Sequence, residues 1–477
     1  MGEKKDTSQQ RTDESGQHHS GAAETLTAST DEAYVADTVT FQGRSLAANQ
    51  SYELHWHTYS GRWGVLEANE ILGPQYQHRT ELIATVTTDD SGQFEEQWRV
   101  FEDFGGTHTV ELRQDDSVVD QTELEILPWF ELDQTTVQLG DTVTLSGYGI
   151  GPDVAYSNYQ VTWDNGYVGF VTGVQNRGTA KAKVRAVGPL GTHVLQVWRN
   201  FSGIPYLQNN TQSPYGPVGQ GRPHRFTIEV TEPDDPPATA WVDSQLDESP
   251  ISAHYPEIDV DGEATLELTP QSGQAGTSVF IDGRQFPPEE TIDLVWFRHE
   301  GHHRQGNITP EPALDVLPSV TSDEDGRFQV EIEIPSGQGG TRPIAAVADG
   351  KPLALSGVVV QPAIEQFEPT SGPVGTTITI ELSGIGWTSY ENQPFFLYDN
   401  KPLGVVSSTT EDSRNGIVRV EFPATGDPGW HFIDVYPTLA TVEADEPDFE
   451  RWPHLSYLHN HPVRPLPGMH FAFEVTE

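Results

Sequence analysis

The chain has 477 residues, with 71 Asp and Glu against 26 Lys and Arg, a formal net charge of −45 and no cysteine. Such a surface repels phosphate backbones and excludes nucleic acid as a partner, and the lack of thiols excludes disulfides, thiolate metal sites and cysteine nucleophiles. With 45 Gly, 35 Pro and 35% hydrophobic residues, the composition points away from long helices and toward many short strands joined by turns.

Residues 1–24 are polar throughout and read as a disordered tail, with no apolar run to serve as the core of a leader. A repeated phrase then begins: VADTVTFQG ends at Gly43, LGDTVTLSG at Gly147, AGTSVFIDG at Gly283 and VGTTITIELSG at Gly384. Each is an alternating strand stopped by glycine. A second strand follows in every copy with an aromatic at a matching place, Trp56, Trp163, Trp296 and Tyr398. A third phrase closes the set, GTHTVEL from Gly106, GTHVLQV from Gly191, GTRPIAA from Gly340 and GWHFIDV from Gly429. Three landmarks in one order, four times over, mark an internal repeat.

Two kinds of copy alternate. The first and third share a turn, TVTTDDSGQF at 85–94 and SVTSDEDGRF at 319–328, whereas the second and fourth share a long Pro/aromatic excursion before their last strand. The expected architecture is all-β: four tandem immunoglobulin-like β-sandwiches, a duplicated two-domain unit, forming a rod. The modules span 25–128 (A), 129–232 (B), 263–362 (A′) and 363–477 (B′), with an acidic, proline-rich linker at 233–262. No apolar stretch is long enough for a transmembrane span.

The run PTSGPVGTTITIELSGIGW at 369–387 resembles the opening of IPT/TIG immunoglobulin-like domains, and TPQSGQAGTSVFIDG at 269–283 is similar, with Gln274 where the pattern has proline. The resemblance implies a non-catalytic structural or adhesion protein, secreted or at the cell surface, with no catalytic residues to transfer.

Candidate sites are few. The run His299-Glu300-Gly301-His302-His303 satisfies the H-E-x-x-H expression of zinc proteases, but that site needs a helix to bring two histidines onto one face. Here the run follows a predicted strand and carries a central glycine, so a polar hairpin loop is expected. With His454, His459 and His461 of the last excursion, His299, His302 and His303 form the candidate metal set, for weak zinc or calcium binding at most and no other cofactor. His55 and His57 flank Trp56 and read as a solvated sheet face, and the Asp/Gly turns at 89–92 and 323–326 read as tight hairpins rather than calcium loops. His193 and His431 share one repeat position, as do, on this reading, His224 and His470, and recurrence points to a structural role.

The excursions at 199–223 and 437–469 are longer than compact domains usually carry and hold Phe201, Tyr206, Tyr215, Phe449, Trp452 and Tyr457. Their flat faces suit stacking on a glycan or a protein surface. A carbohydrate-binding accessory protein is therefore the alternative function, and a metal-dependent secreted hydrolase a further, weaker one.

Six of the 26 basic residues are lysine. An acidic, lysine-poor yet aromatic-rich composition resembles proteins of extreme halophiles, in which dense carboxylates hold water and multimolar salt screens their repulsion. The expected outcome is a melting temperature that falls steeply between molar and millimolar NaCl; calorimetry across that range checks it, and an unchanged melt refutes salt adaptation.

Overall fold

The protein's structure, a computed structural model, describes residues 25–66, 70–152, 159–171, 173, 177–200, 219–242, 260, 262–302, 307–313, 316–385, 394–406, 416–437 and 468–477. All regular elements among them are strands. The N-terminal tail and most of both excursions lie outside the described residues.

Module A shows the plan. A small sheet holds Leu26–Ala28, Thr38–Gly43 and Phe94–Arg99; a larger one orders Glu32–Ala33, Ser117–Ile126, Gly106–Gln114, Ser51–Leu66 and Glu70–Thr87. The first strand is split: Leu26–Ala28 pairs antiparallel in the small sheet, then Glu32–Ala33 crosses over and runs parallel to the module's last strand. Alternation of side chains sets the two faces, with Val39 and Phe41 fully buried between solvent-facing threonines. Module B repeats this three-strand and five-strand layout, and A′ and B′ do so with a sixth strand on the larger sheet; each has a short strand parallel to its last. Trp56, Trp163, Trp296 and Tyr398 are all buried between the layers.

One device recurs at the same end of every module. The third residue of each closing phrase bonds to the carbonyl four residues before it: His108 Nε2 lies 2.7 Å from Phe104 O, His193 Nε2 2.7 Å from Pro189 O, His431 Nε2 2.8 Å from Asp427 O, and Arg342 Nε 3.2 Å from Gln338 O. The ring also stacks on the strand aromatic, His108 on Trp56 at 4.3 Å, His193 on Trp163 at 5.2 Å and His431 on Tyr398 at 5.6 Å. The aromatic donates into the same loop: Trp163 Nε1 to Val187 O, Tyr398 Oη to Thr425 O, and Trp56 Nε1 to the buried Asp103 carboxylate. Burial pushes the Tyr398 hydroxyl up to about 12, so it remains a donor. Each imidazole faces a second acceptor through Nδ1, namely His57 O, Asp164 or Asp399. The loop before the closing strand is thus latched to two strands of the larger sheet by hydrogen bonds that would otherwise be unmade in a dry interior.

Within each half the two modules abut through backbone. Gly105 N donates across the junction to Ile150 O at 3.1 Å, and within B Ile150 N donates to Gly178 O at 2.9 Å; the second half repeats this with Gly339 to Ile385 across the junction at 2.9 Å and Ile385 to Gly416 within B′ at 3.0 Å. A Cβ on Gly105 would overlap Gly149 O, and one on Gly339 would overlap Gly384 O, so glycine is dictated by the closeness of approach. Tyr76, Arg177 and Thr179 add contacts between A and B, Thr179 Oγ1 donating to Glu102 at 2.8 Å and Arg177 pairing with Glu81 at 2.9 Å.

The expected end-to-end rod is corrected between the halves. B and B′ pack against each other, and Phe395, Leu397, Phe432, Tyr436 and Ala472 of B′ join the core of B. The stretch expected to be a plain linker also contributes a strand, since Ala240–Val242 pairs antiparallel with Met469–Thr476 and extends the large sheet of B′. An isolated Ala-Trp-Val next to prolines carries no strand signal of its own; the edge of B′ supplies it.

Burial alone would lower the His431 pKa, but the hydrogen bond to Asp399 and that carboxylate's charge outweigh it and raise it above the ordinary 6.5. A raised folded-state value means the latch's contribution is whole below the unfolded pKa and is lost as pH rises through the folded one. His431→Arg, which copies what Arg342 does in A′, is expected to flatten that alkaline loss; thermal melts of both proteins from pH 6 to 9 check it.

Candidate interaction site at the junction of the halves

The B–B′ contact is built around a guanidinium. Arg185 ends the strand Ala180–Arg185 of B and is buried; its Nε and Nη2 donate to Asp434 at 2.9 and 2.7 Å, and Nη1 donates to Gly140 O at 2.6 Å. Asp434 lies on Gly429–Pro437 of B′, beside His470, whose Nδ1 is 2.6 Å from the same carboxylate. The flat faces of the guanidinium meet Trp241, 5.0 Å away, and Phe432, 5.6 Å away, and Trp241 stacks on His470 at 5.1 Å. Asn400 Nδ2 donates to Arg185 O at 2.8 Å. One side chain of B is therefore held by the linker strand and by two strands of B′. Burial would raise the Asp434 pKa, but the Arg185 charge and the His470 hydrogen bond overcome it and hold the carboxyl well below the carboxylate range.

The receiving surface is a sheet face. Every residue of Pro394–Tyr398 is buried: Phe396 and Tyr398 pack in the core of B′, Phe395 and Leu397 against B. A strand buried on both sides reads as a continuous apolar run instead of an alternation, which is the signal PFFLY carries and LHWH does not.

The arrangement is one-sided. By register, Thr142↔Arg185 in B corresponds to Thr377↔Pro423 in B′, and Asp434↔His470 in B′ to Gln196↔Arg225 in B. His470 is thus equivalent to Arg225, and His224 to Met469, which corrects the expected His224/His470 match. A slip of one residue reverses the face: His224 packs on Phe130 at 4.8 Å, its pKa lowered by burial, while His470 points to B.

Beside the lock lies a cleft of about 590 Å³ between the latch loops of B and B′, roofed by the linker segment 232–236. Leu139, Pro189 and Leu190 line it from B; Trp430, Asp427, Asp399 and Lys401 line it from B′.

The other expected site residues are placed as follows. His299 and His302 belong to the strand Thr291–His302, whose end pairs with Asn307–Ala313, so the backbone is a strand where a polar loop was expected and where a zinc-protease motif needs a helix. The hairpin is the counterpart of the long Ser51–Leu66 and Glu70–Thr87 hairpin of A, and its partner strand carries the pairing onward. His303, His454, His459 and His461 lie outside the described residues, as do Phe201, Tyr206, Tyr215, Phe449, Trp452 and Tyr457. Among the described residues no group of three or more His, Cys, Asp or Glu is placed to hold a metal. His57 turns not to His55 but to His78, Nδ1 to Nε2 at 3.1 Å, with Glu111 Oε2 3.0 Å from its Nε2. The Asp89 and Asp323 carboxylates close their own turns by accepting from backbone N–H of residues 91 and 93, and of 325 and 327.

No protein-family model and no curated protein matches the chain. Among solved structures, it is similar to a D1–D4 ectodomain fragment of ICAM-5, at 11% identity over 94% of this chain and 99% of that one, with a TM-score of 0.18. Escherichia coli alpha-2-macroglobulin activated by porcine elastase matches at 11% identity and 0.15, over 86% of this chain and 42% of that one, and the D0–D1 domain of intimin at 12% and 0.15, over 44% and 97%. Scores this low describe no shared placement of modules, and the sandwich assignment rests on the sheets themselves.

Replacing Arg185 by Met leaves Asp434 buried without its guanidinium partner, with only His470 beside it, and is expected to cost about 3 to 5 kcal/mol; adding Asp434→Leu should recover most of that loss. Chemical denaturation of the single and double variants measures both.

Proposed function

We propose that the chain is a non-catalytic structural or adhesion protein, exported to the surface of a salt-adapted cell, in which rigid sandwiches resist tension and present the aromatic excursions to a partner. The observation that carries this reading is the parallel pairing of first and last strands in all four modules. Tension applied through a module's two ends pulls those strands in opposite directions. The hydrogen bonds between them lie across the pull and are loaded together, so they must break at once instead of unzipping singly. The glycine-tight A–B and A′–B′ contacts transmit force from module to module with little bending. The IPT/TIG-like run at 369–387 and the charge of −45 support placement in a saline exterior. Export of the native protein is checked by fractionating the cells that make it.

The mechanical part has its own test. Glu125 N donates to Asp31 O at 2.9 Å across the parallel pair, while its side chain is exposed. Glu125→Pro removes that donor at no cost in core packing and is expected to lower the force at which module A yields in single-molecule pulling. Glu125→Gln should leave it unchanged. Equal forces for both variants would refute a tension-bearing role for the pair.

A further inference from the structure

We infer that the cleft between B and B′ binds the side chain of an arginine presented by a peptide. The lining has an unusual balance of donors and acceptors. Prolines 189, 233, 236 and 428 contribute no N–H, and Glu232, Asp234, Asp235, Asp399 and Asp427 are acceptors only. Five carboxylates face two cations, Lys401 and His431, and His431 is already taken by Asp399 at 2.5 Å. Asp234 accepts from Gln138 at 2.8 Å, which fixes the roof in place. What such a cavity lacks is a rigid group with several N–H donors and positive charge.

Trp430 supplies the rest of the recognition. It stands where the closing phrase has Thr107, Thr192 and Thr341, so the fourth copy departs from the repeat's own pattern at the residue that lines the cleft. In B the corresponding hydroxyl has a structural use, Thr192 Oγ1 donating to Glu229 at 2.9 Å. In B′ the position pairs with Glu474 across the strands, and an indole replaces the hydroxyl. Guanidinium groups stack on indole faces while their edges bond to carboxylates, and the arginine stem suits Leu139 and Leu190, the latter 53% exposed. The lock next door shows the same chemistry within this chain, with Arg185 between Trp241 and Phe432 on Asp434. The inference does not rest on the tension-bearing role, and either can fail alone.

The test is calorimetric titration of the full chain with a blocked glycyl-arginyl-glycine amide and with its citrulline counterpart, isosteric but neutral, at fixed salt. Saturable one-to-one binding is expected, at least about tenfold weaker for citrulline and for Trp430→Thr, in line with one lost charge-assisted bond or stacking contact. Trp430→Thr restores the repeat's own residue; because Trp430 also packs against the core shared by B and B′, Asp427→Asn, in an exposed turn, is the second variant and should weaken binding similarly without touching that core. No saturable binding, equal binding of the citrulline peptide, or full affinity in both variants would overturn the site and leave only nonspecific attraction to an acidic surface.

Discussion

The placement of the two halves depends on the desolvation of one guanidinium. Arg185 cannot be buried without a carboxylate; Asp434 of B′ provides one, and in turn could not sit in a dry sheet interface without Arg185. Each charge makes the other's burial tolerable, and the apolar faces around them, Phe395, Leu397 and Phe432, gain from the contact only in the register where that pair closes. Hydrophobic area alone would favour many arrangements of two sheet faces. The ion pair selects one of them.

The latch solves a smaller version of the same problem four times. A loop crossing the open end of a sandwich exposes carbonyls to an apolar interior, and a ring or guanidinium nitrogen reaching back four residues can satisfy one of them. Histidine does so in three modules and arginine in the fourth, at the same repeat position. In the three histidine copies the aromatic beneath gives that ring a surface to rest on while its own N–H or O–H ties down the loop. Repetition of the aromatic and of the Gly-x-His/Arg phrase is therefore one constraint, not two.

Much of this was legible in the order of residues. Alternation in TVTF, TVTL, SVFI and TITI fixes the strand and its buried face, and the recurrent Trp or Tyr marks the center of each sandwich. The structural role expected of His193 and His431 follows from the same recurrence. What could not be read was anything specific to one copy. Arg185 and Asp434 are 249 positions apart and have no counterpart in their sister modules, so a search for repeats passes over them. Trp241 sits in a proline-rich stretch without periodicity and gains its strand from the edge of B′. His224 and His470 look aligned because the tails HRFTIEVTE and HFAFEVTE differ by one residue in length, and only the hydrogen-bonded register shows which side each occupies.

The asymmetry of the B–B′ contact sets a limit on growth. An interface that joins the edge of one copy to the face of the next can be extended without end when every copy carries both surfaces, and filaments arise that way. Here B has the basic edge but Gln196 and Arg225 on its face, and B′ has the acidic face but Pro423 on its edge. Neither of these two surfaces carries the groups that close the B–B′ contact, so a second copy of the chain cannot repeat the Arg185–Asp434 lock on them.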